Sequence, residues 1–166
     1  MSYVFLIISC VASQRLLELV LANHNTTKLM AQGGQEFGKE HYPFIVLLHA
    51  SWLLSLFLFV PSAAPINIPL LLVFIVLQSL RIWVIASLGP YWTTRIISLP
   101  QAPLIKRGPY RFLRHPNYWV VIAEIAVLPL VFGAWKIALV YSLLNAILMR
   151  YRIRIEEESL ALHARD

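Results

Sequence analysis

Charge is scarce in this chain. Only 13% of its residues are Asp, Glu, Lys or Arg, where a soluble domain carries about 25%. That is too little to cover a water-facing surface, and it excludes an ordinary soluble fold. Cysteine is nearly absent. The single Cys10 excludes an internal disulfide and a Cys-cluster metal site, and its place in an apolar run makes it a small packing residue. No spacing of His with Asp or Glu points to a metal centre of another kind, so none is expected. Internal repeats and low-complexity tracts are missing as well. The net charge of +6 invites a nucleic-acid reading, but no soluble basic module is left to act on it. The N-terminus lacks the basic stretch of a signal peptide, so the first apolar run is expected to stay as a membrane helix.

What the chain does have is hydrocarbon. Apolar residues make up 59% of its 166 positions, and the mean hydropathy is +0.70. A helix needs about 20 mostly apolar residues to cross the bilayer core. The length therefore allows four to six spans and no separate soluble domain. The expected architecture is an all-α polytopic membrane protein, one membrane-embedded domain over residues 1–166 with about five transmembrane helices.

The runs read as follows. The first extends from about Tyr3 to Ala22, interrupted by Ser13-Gln14-Arg15 and Glu18. A polar segment, Asn23 to His41, holds the breakers Gly33-Gly34 and Gly38. The second run goes from Pro43 to about Val60 and the third from Ile68 to Leu88, joined by a short turn with Pro61, Pro65 and Pro69 into a helical hairpin. After Gly89-Pro90 the stretch Tyr91 to Arg114 is aromatic, basic and irregular. Long irregular loops in compact proteins are usually functional or disordered. The fourth run, Tyr118 to Phe132, is short for a span and is expected to begin inside the protein. It turns at Gly133 into a fifth, Ala134 to about Met149, which continues into the charged tail Arg150 to Glu158. Residues 1–88 thus supply three helices, and residues 89–166 the irregular segment, the last two apolar runs and the charged tail.

Five spans put the termini on opposite sides. Lys28, Lys39, Arg95, Lys106, Arg107, Arg111, Arg114, Arg150, Arg152, Arg154 and Arg165 fall on the C-terminal side, eleven in all, against Lys136 alone on the other. Cytoplasmic loops carry the excess of Lys and Arg, so the irregular segment and the tail of this multi-pass chain are expected at the cytosolic face.

Two polar motifs stand out on that face. Gly108-Pro109-Tyr110-Arg111-Phe112-Leu113-Arg114-His115-Pro116-Asn117-Tyr118 leads into the fourth run. Pro is tolerated at a helix start, the first-turn N–H groups can receive an anionic group, and His115 and Tyr118 share a helical face. Alone, this motif also suits an interfacial anchor. On the fifth helix Arg152 and Glu156 lie four apart with Glu157 beside them, a spacing that also suits a solvated ion pair. The hairpin at Gly133 changes the balance, because it returns Arg150 to Glu157 to the membrane level of His115 and Tyr118.

Together the motifs resemble those of the isoprenylcysteine carboxyl methyltransferase family of membrane enzymes. Gly108 to Tyr118 matches its Gly-x-Tyr-x-x-x-Arg-His-Pro-x-Tyr pattern, and Arg152 to Leu160 its Arg-x-x-x-Glu-Glu-x-x-Leu pattern. The similarity covers about residues 80–162, and the chain looks like a small bacterial-type member. The resemblance implies S-adenosylmethionine as methyl donor and a pocket open to both cytosol and lipid. It puts Tyr110, His115, Pro116, Asn117 and Tyr118 at the cofactor, together with the preceding loop Ala102, Pro103, Leu104 and Ile105. It puts catalysis on Arg152 and Glu156, and the acceptor against Arg152 and Glu157. Bacteria generally lack prenylated proteins, so an alkylpyrone-like polyketide is the expected acceptor ahead of a prenylcysteine-like carboxylate. Three rivals remain at this point: an NADPH-dependent reductase of the sterol-reductase type, which shares Arg-His-Pro-Asn-Tyr, a phospholipid N-methyltransferase, and a structural membrane subunit with no enzymatic role.

Charged groups inside the apolar runs are costly in lipid and normally paired. A Glu18–Arg81 or Glu18–Arg15 pair is expected, while Glu124 either pairs with an Arg or touches the cofactor. His49 and Asn145 are expected to hydrogen-bond between helices.

Overall fold

The computed structural model describes residues 2–99 and 105–163, with side chains through residue 158. Five helices carry the fold: α1 (Tyr3–Ala31), α2 (Tyr42–Phe59), α3 (Ile68–Leu88), α4 (Pro116–Val131) and α5 (Trp135–His163). The protein is an all-α polytopic membrane protein. Three stretches, Tyr3–Ala31, Lys39–Phe59 and Ile68–Tyr91, are long and apolar enough to cross a bilayer, and α4 is a shorter apolar helix. Large side chains such as Leu17, Val20, Leu58 and Phe59 stay exposed on the outer faces of α1 and α2, where lipid takes the place of water.

Local chemistry sets the helix ends. Ser2 caps α1 by accepting from the Val4 amide, and Asn67 caps α3 by accepting from the Leu70 amide. Pro43 and Pro116 sit in the first turns of α2 and α4, where a missing N–H costs nothing. Gly133, at φ +71, stops α4 and reverses the chain into α5. The Asn67 amide donates to the Val131 carbonyl at 2.8 Å, which ties the start of α3 to the end of α4.

Two expectations are corrected here. The first helix does not end near Ala22: it runs unbroken to Ala31. Residues 23–31 are polar but contain no Gly or Pro, and Ala22, Asn25 and Leu29 form a buried stripe. Asn25 Nδ2 donates to the Gly89 and Trp92 carbonyls at 3.2 and 2.8 Å, so the extension docks on the end of α3. The segments around Gly34 and Tyr91 are also not wholly irregular. β1 (Gln35–Phe37) and β2 (Ile96–Ser98) pair antiparallel, with Gln35 opposite Ser98 and Phe37 opposite Ile96. A Glu36–Arg95 ion pair at 2.9 Å flanks the register.

α4 is the most enclosed helix, with Tyr118, Val121, Glu124, Ile125, Leu128 and Val131 all buried. This explains how 16 residues, about 24 Å of helix, serve inside a core about 30 Å thick: neighbours rather than lipid surround them. The apolar core joins Val4, Ile8 and Val11 of α1 to Leu48, Trp52 and Leu56 of α2 and to Ile125 and Leu128 of α4.

The buried charges assemble into one cluster. Arg81 donates to Glu18 through Nε (2.7 Å) and Nη2 (2.6 Å), and to Glu124 through Nη1 (3.0 Å). Arg15 meets Glu18 at 2.8 Å and Glu124 at 3.0 Å. Gln14 adds a bond to Glu18 and Gln78 one to Glu124. Both expected Glu18 pairs therefore form. Glu124 pairs with both arginines, and the cluster of two cations and two anions bolts α1, α3 and α4 together.

Candidate active site

The loop before α4 is seated by Gly108 and Arg107. Gly108 has φ +56, and a Cβ there would fall 2.1 Å from Ser87 Oγ, so only glycine lets the loop lie this close to α3. Arg107 Nε donates to the Ser87 carbonyl at 2.7 Å. From this seat the chain reaches His115, which caps α4 without a side-chain bond to it. Its ring stacks on Tyr118, centroids 5.4 Å apart and 13° from parallel.

The hairpin at Gly133 brings the last turns of α5 alongside. Arg152 is buried, and its Nε donates to the Tyr118 hydroxyl at 2.9 Å. That hydroxyl in turn donates to Glu156 Oε2. His115 Nδ1 lies 3.5 Å from the same carboxylate oxygen, and its Nε2 lies 3.9 Å from Glu157 Oε1. The Arg152 guanidinium carbon is 5.5 Å from the Tyr118 ring centroid, within range of the ring's π face. Arg152 and Glu156 thus meet on one phenolic oxygen.

The electrostatics follow from these contacts. The hydrogen bond with Glu156 raises the His115 pKa above its ordinary value, against the opposing cost of burial. Burial alone would raise the Glu156 carboxyl. The hydrogen bonds from His115 and Tyr118 and the charges of His115 and Arg152 outweigh it, and hold Glu156 below the ordinary carboxylate value. Burial and, next, the Glu156 charge push the Tyr110 phenol up, so Tyr110 stays protonated and available as a donor.

On the other side of Tyr118 and Arg152 lies a cavity of about 380 Å³ between α1, α2, α4 and α5, walled mostly by apolar side chains. Leu16 and Val46 line it and are also exposed on the outer surface, so it reaches the lipid-facing side between α1 and α2. Asn117, Tyr118 and Arg152 form its polar end, joined by Tyr42, Trp92 and Thr94.

The expected site residues divide accordingly. His115, Tyr118, Arg152 and Glu156 come together. Tyr110 stands close enough for the Glu156 charge to act on it. Pro116 is buried in the first turn of α4, and Asn117 is beside the cavity with its Oδ1 buried and unpartnered among the described residues. Glu157 is more than half exposed and faces His115 rather than the cavity that Arg152 lines. Ile105 is half-buried, while Ala102, Pro103 and Leu104 lie outside the described residues. His49 bonds its own helix, Nδ1 to the Ile45 carbonyl at 2.8 Å, instead of a neighbouring one. Asn145 is buried with its Oδ1 unpartnered among the described residues. Among the described residues no group of three metal-ligating side chains occurs. The contributions of Tyr42, Trp92 and Thr94 were not anticipated. Their one signal in the sequence is aromatic and hydroxyl residues within four positions of the breakers Gly38 and Gly89-Pro90.

Comparison with known proteins decides the family. The profile described as "Isoprenylcysteine carboxyl methyltransferase (ICMT) family" matches residues 70–162, which spans α3 through α5 and both motifs. The chain belongs to the isoprenylcysteine carboxyl methyltransferase family. Family enzymes are membrane methyltransferases that take their methyl group from S-adenosylmethionine, and this member is an integral membrane protein. Two relatives match along nearly their whole length. One is "Uncharacterized protein YpbQ" of Bacillus subtilis (strain 168), 38% identical over 94% of this chain and 95% of its own. The other is an "Uncharacterized protein" of Haemophilus influenzae, 24% identical over 97% of this chain and 96% of its own. No solved structure matches. In this family member α1 and α2, which supply much of the cavity wall, precede the residues the family profile covers.

Proposed function

We propose that this protein is an S-adenosylmethionine-dependent O-methyltransferase acting on a lipophilic acceptor at the cytosolic membrane face. The preferred acceptor is an alkylpyrone-like polyketide, with a prenylcysteine-like carboxylate second. One observation carries the reading. Tyr118 and Arg152 stand as a partition between a polar cluster (His115, Glu156, Tyr110) and an apolar cavity that reaches lipid. A polar nucleoside and a greasy acceptor can then come into direct contact beside these two side chains, as methyl transfer requires.

The residues suit the donor. Asn117 Oδ1, unpartnered among the described residues at the polar end of the cavity, would accept from an N–H or O–H of a ligand lodged where cavity and polar cluster meet, and a buried acceptor left unpaired costs about 1–3 kcal/mol. The N-terminus of α4 favours an anionic group such as a carboxylate. Tyr110, His115, Pro116, Asn117 and Tyr118, with Ala102 to Ile105, would hold the donor, which when bound supplies an electrophilic methyl group. The chain's own work is then placement and exclusion of water. Arg152 holds the acceptor oxygen as carboxylate or enolate. Glu156 orients Arg152 through the Tyr118 hydroxyl, or takes the proton of a neutral hydroxyl acceptor. The excess of Lys and Arg at the site end supports a cytosolic position for that end, in a multi-pass chain of a bacterial inner membrane.

The test uses purified protein. S-adenosylhomocysteine is expected to raise its thermal stability, and NADPH to leave it unchanged; the reverse pattern would overturn the reading in favour of a reductase. Turnover of radiolabelled donor against an alkylpyrone, a prenylcysteine and a phosphatidylethanolamine then identifies the acceptor class. Product from phosphatidylethanolamine alone would make the enzyme a phospholipid N-methyltransferase.

A further inference from the structure

The cavity has a second polar end. About 9 Å separates Tyr118 from Glu124 along α4, six residues at 1.5 Å each. At the Glu124 level the cavity wall holds Arg15, Glu18, Arg81 and His49. The first three belong with Glu124 to the charge cluster, whose two cations and two anions cancel and whose guanidinium groups are ion-paired to carboxylates, with Arg15 Nε left without a hydrogen bond among the described residues. That end therefore has no net charge with which to draw an anion. His49 is different. Its Nδ1 faces the Ile45 carbonyl at 2.8 Å, and a carbonyl can only accept, so the proton of the neutral ring sits on Nδ1. Nε2 then carries a lone pair. No described residue hydrogen-bonds Nε2, and the ring lines the cavity.

We infer that His49 Nε2 is a specificity-determining hydrogen-bond acceptor for the methyl acceptor, and that it selects a neutral hydroxyl-bearing head group over a carboxylate. The inference rests on the reading of this cavity as the acceptor site. A lone pair facing a ligand requires that the ligand bring a proton. An enol or phenol does so; a carboxylate has none to offer and meets His49 with repulsion. The head group this cavity fits bears oxygens at two places, one toward Arg152 and Tyr118 and one bearing hydrogen toward His49, with an alkyl chain leaving between α1 and α2 past Leu16 and Val46.

The experiment measures equilibrium binding of pentadecylresorcinol, its dimethyl ether and palmitate to the full-length protein in nanodiscs. Wild type is expected to bind the resorcinol about tenfold more tightly than the ether, the equivalent of one good hydrogen bond. His49→Phe should erase that difference and, with the repulsive lone pair gone, tighten palmitate binding. His49→Gln, which restores an acceptor oxygen, should recover most of the difference. Equal wild-type affinities for resorcinol and ether would overturn the inference, as would an undiminished ratio in His49→Phe or a His49→Gln that behaves like it. Thermal stabilisation by S-adenosylhomocysteine, read on the same samples, reports separately on the methyl-transfer reading. Loss of that signal with an intact His49 pattern would leave an acceptor-selective cavity without a donor.

Discussion

The Tyr118 hydroxyl accepts from one arm of the site and donates to the other, so removing that single oxygen separates two roles of the ring. Tyr118→Phe keeps the stack on His115 and the π face toward Arg152, and deletes the link to Glu156. Losing a buried partner of charged groups costs about 1–3 kcal/mol. The expected outcome is a kcat/KM lower by roughly 10- to 100-fold, with donor affinity changed far less, measured by steady-state kinetics and calorimetric titration. Arg152→Lys should fare little better than Arg152→Ala, since an ammonium lacks the planar fork that serves Tyr118 and an acceptor oxygen together. The His115–Glu156 pair predicts a pH signature. His115 is raised, so its contribution is complete below the unfolded value of about 6.5 and fades as pH climbs through the folded one. Glu156 is lowered, so its contribution is complete above about 4.3 and fades as pH falls through its folded value. The melting-temperature gap between wild type and Glu156→Gln should accordingly be widest between about pH 4.3 and 6.5 and narrow on the alkaline side. A gap constant from pH 5 to 9 would count against the pair.

Among the elements, the loop before α4 depends on one glycine. Gly108→Ala forces an L side chain into φ +56 and a Cβ against Ser87 Oγ. Strain of this kind costs about 1–3 kcal/mol, and the expected result is a lower melting temperature with weakened donor binding, because the same loop sets His115. Ser87→Gly in the same chain removes the colliding atoms but not the φ penalty, and should recover only part of the loss. The sequence made some of these elements plain and hid others. The apolar runs, the turn at Gly133 and the meeting of the His115–Tyr118 motif with the Arg152–Glu156 motif were legible, because hydropathy and a short hairpin leave the chain few alternatives. The extension of α1 through Asn23-His24-Asn25 was hidden: its polar residues read as loop, and its stabilising bonds are to carbonyls of Gly89 and Trp92 more than sixty residues away. The β1–β2 pair was hidden for the same reason, since three-residue strands leave no periodicity and their partner is distant. Of the site, Tyr42, Trp92 and Thr94 escaped because they line a cavity whose walls come from helices that only the fold brings together.

At the scale of the whole molecule, the bundle holds four ionised side chains where lipid forbids a lone one. An unpaired charge at the centre of a membrane helix costs about 3 kcal/mol, yet Arg15, Glu18, Arg81 and Glu124 sit together because every removal leaves an excess of one sign. Neutrality, rather than any single bond, is then the stabilising condition. Glu124→Gln leaves two guanidinium groups against one carboxylate, and Arg81→Gln leaves two carboxylates against one guanidinium. Each is expected to destabilise the protein by about 3 kcal/mol, in the range for breaking a buried pair. The double replacement restores neutrality with Arg15 still on Glu18 at 2.8 Å, and it should cost clearly less than the sum of the two singles. SDS titration of the four proteins in mixed micelles, followed by tryptophan fluorescence, measures the coupling. Strictly additive losses would mean that individual hydrogen bonds, not charge balance, hold α1, α3 and α4 together.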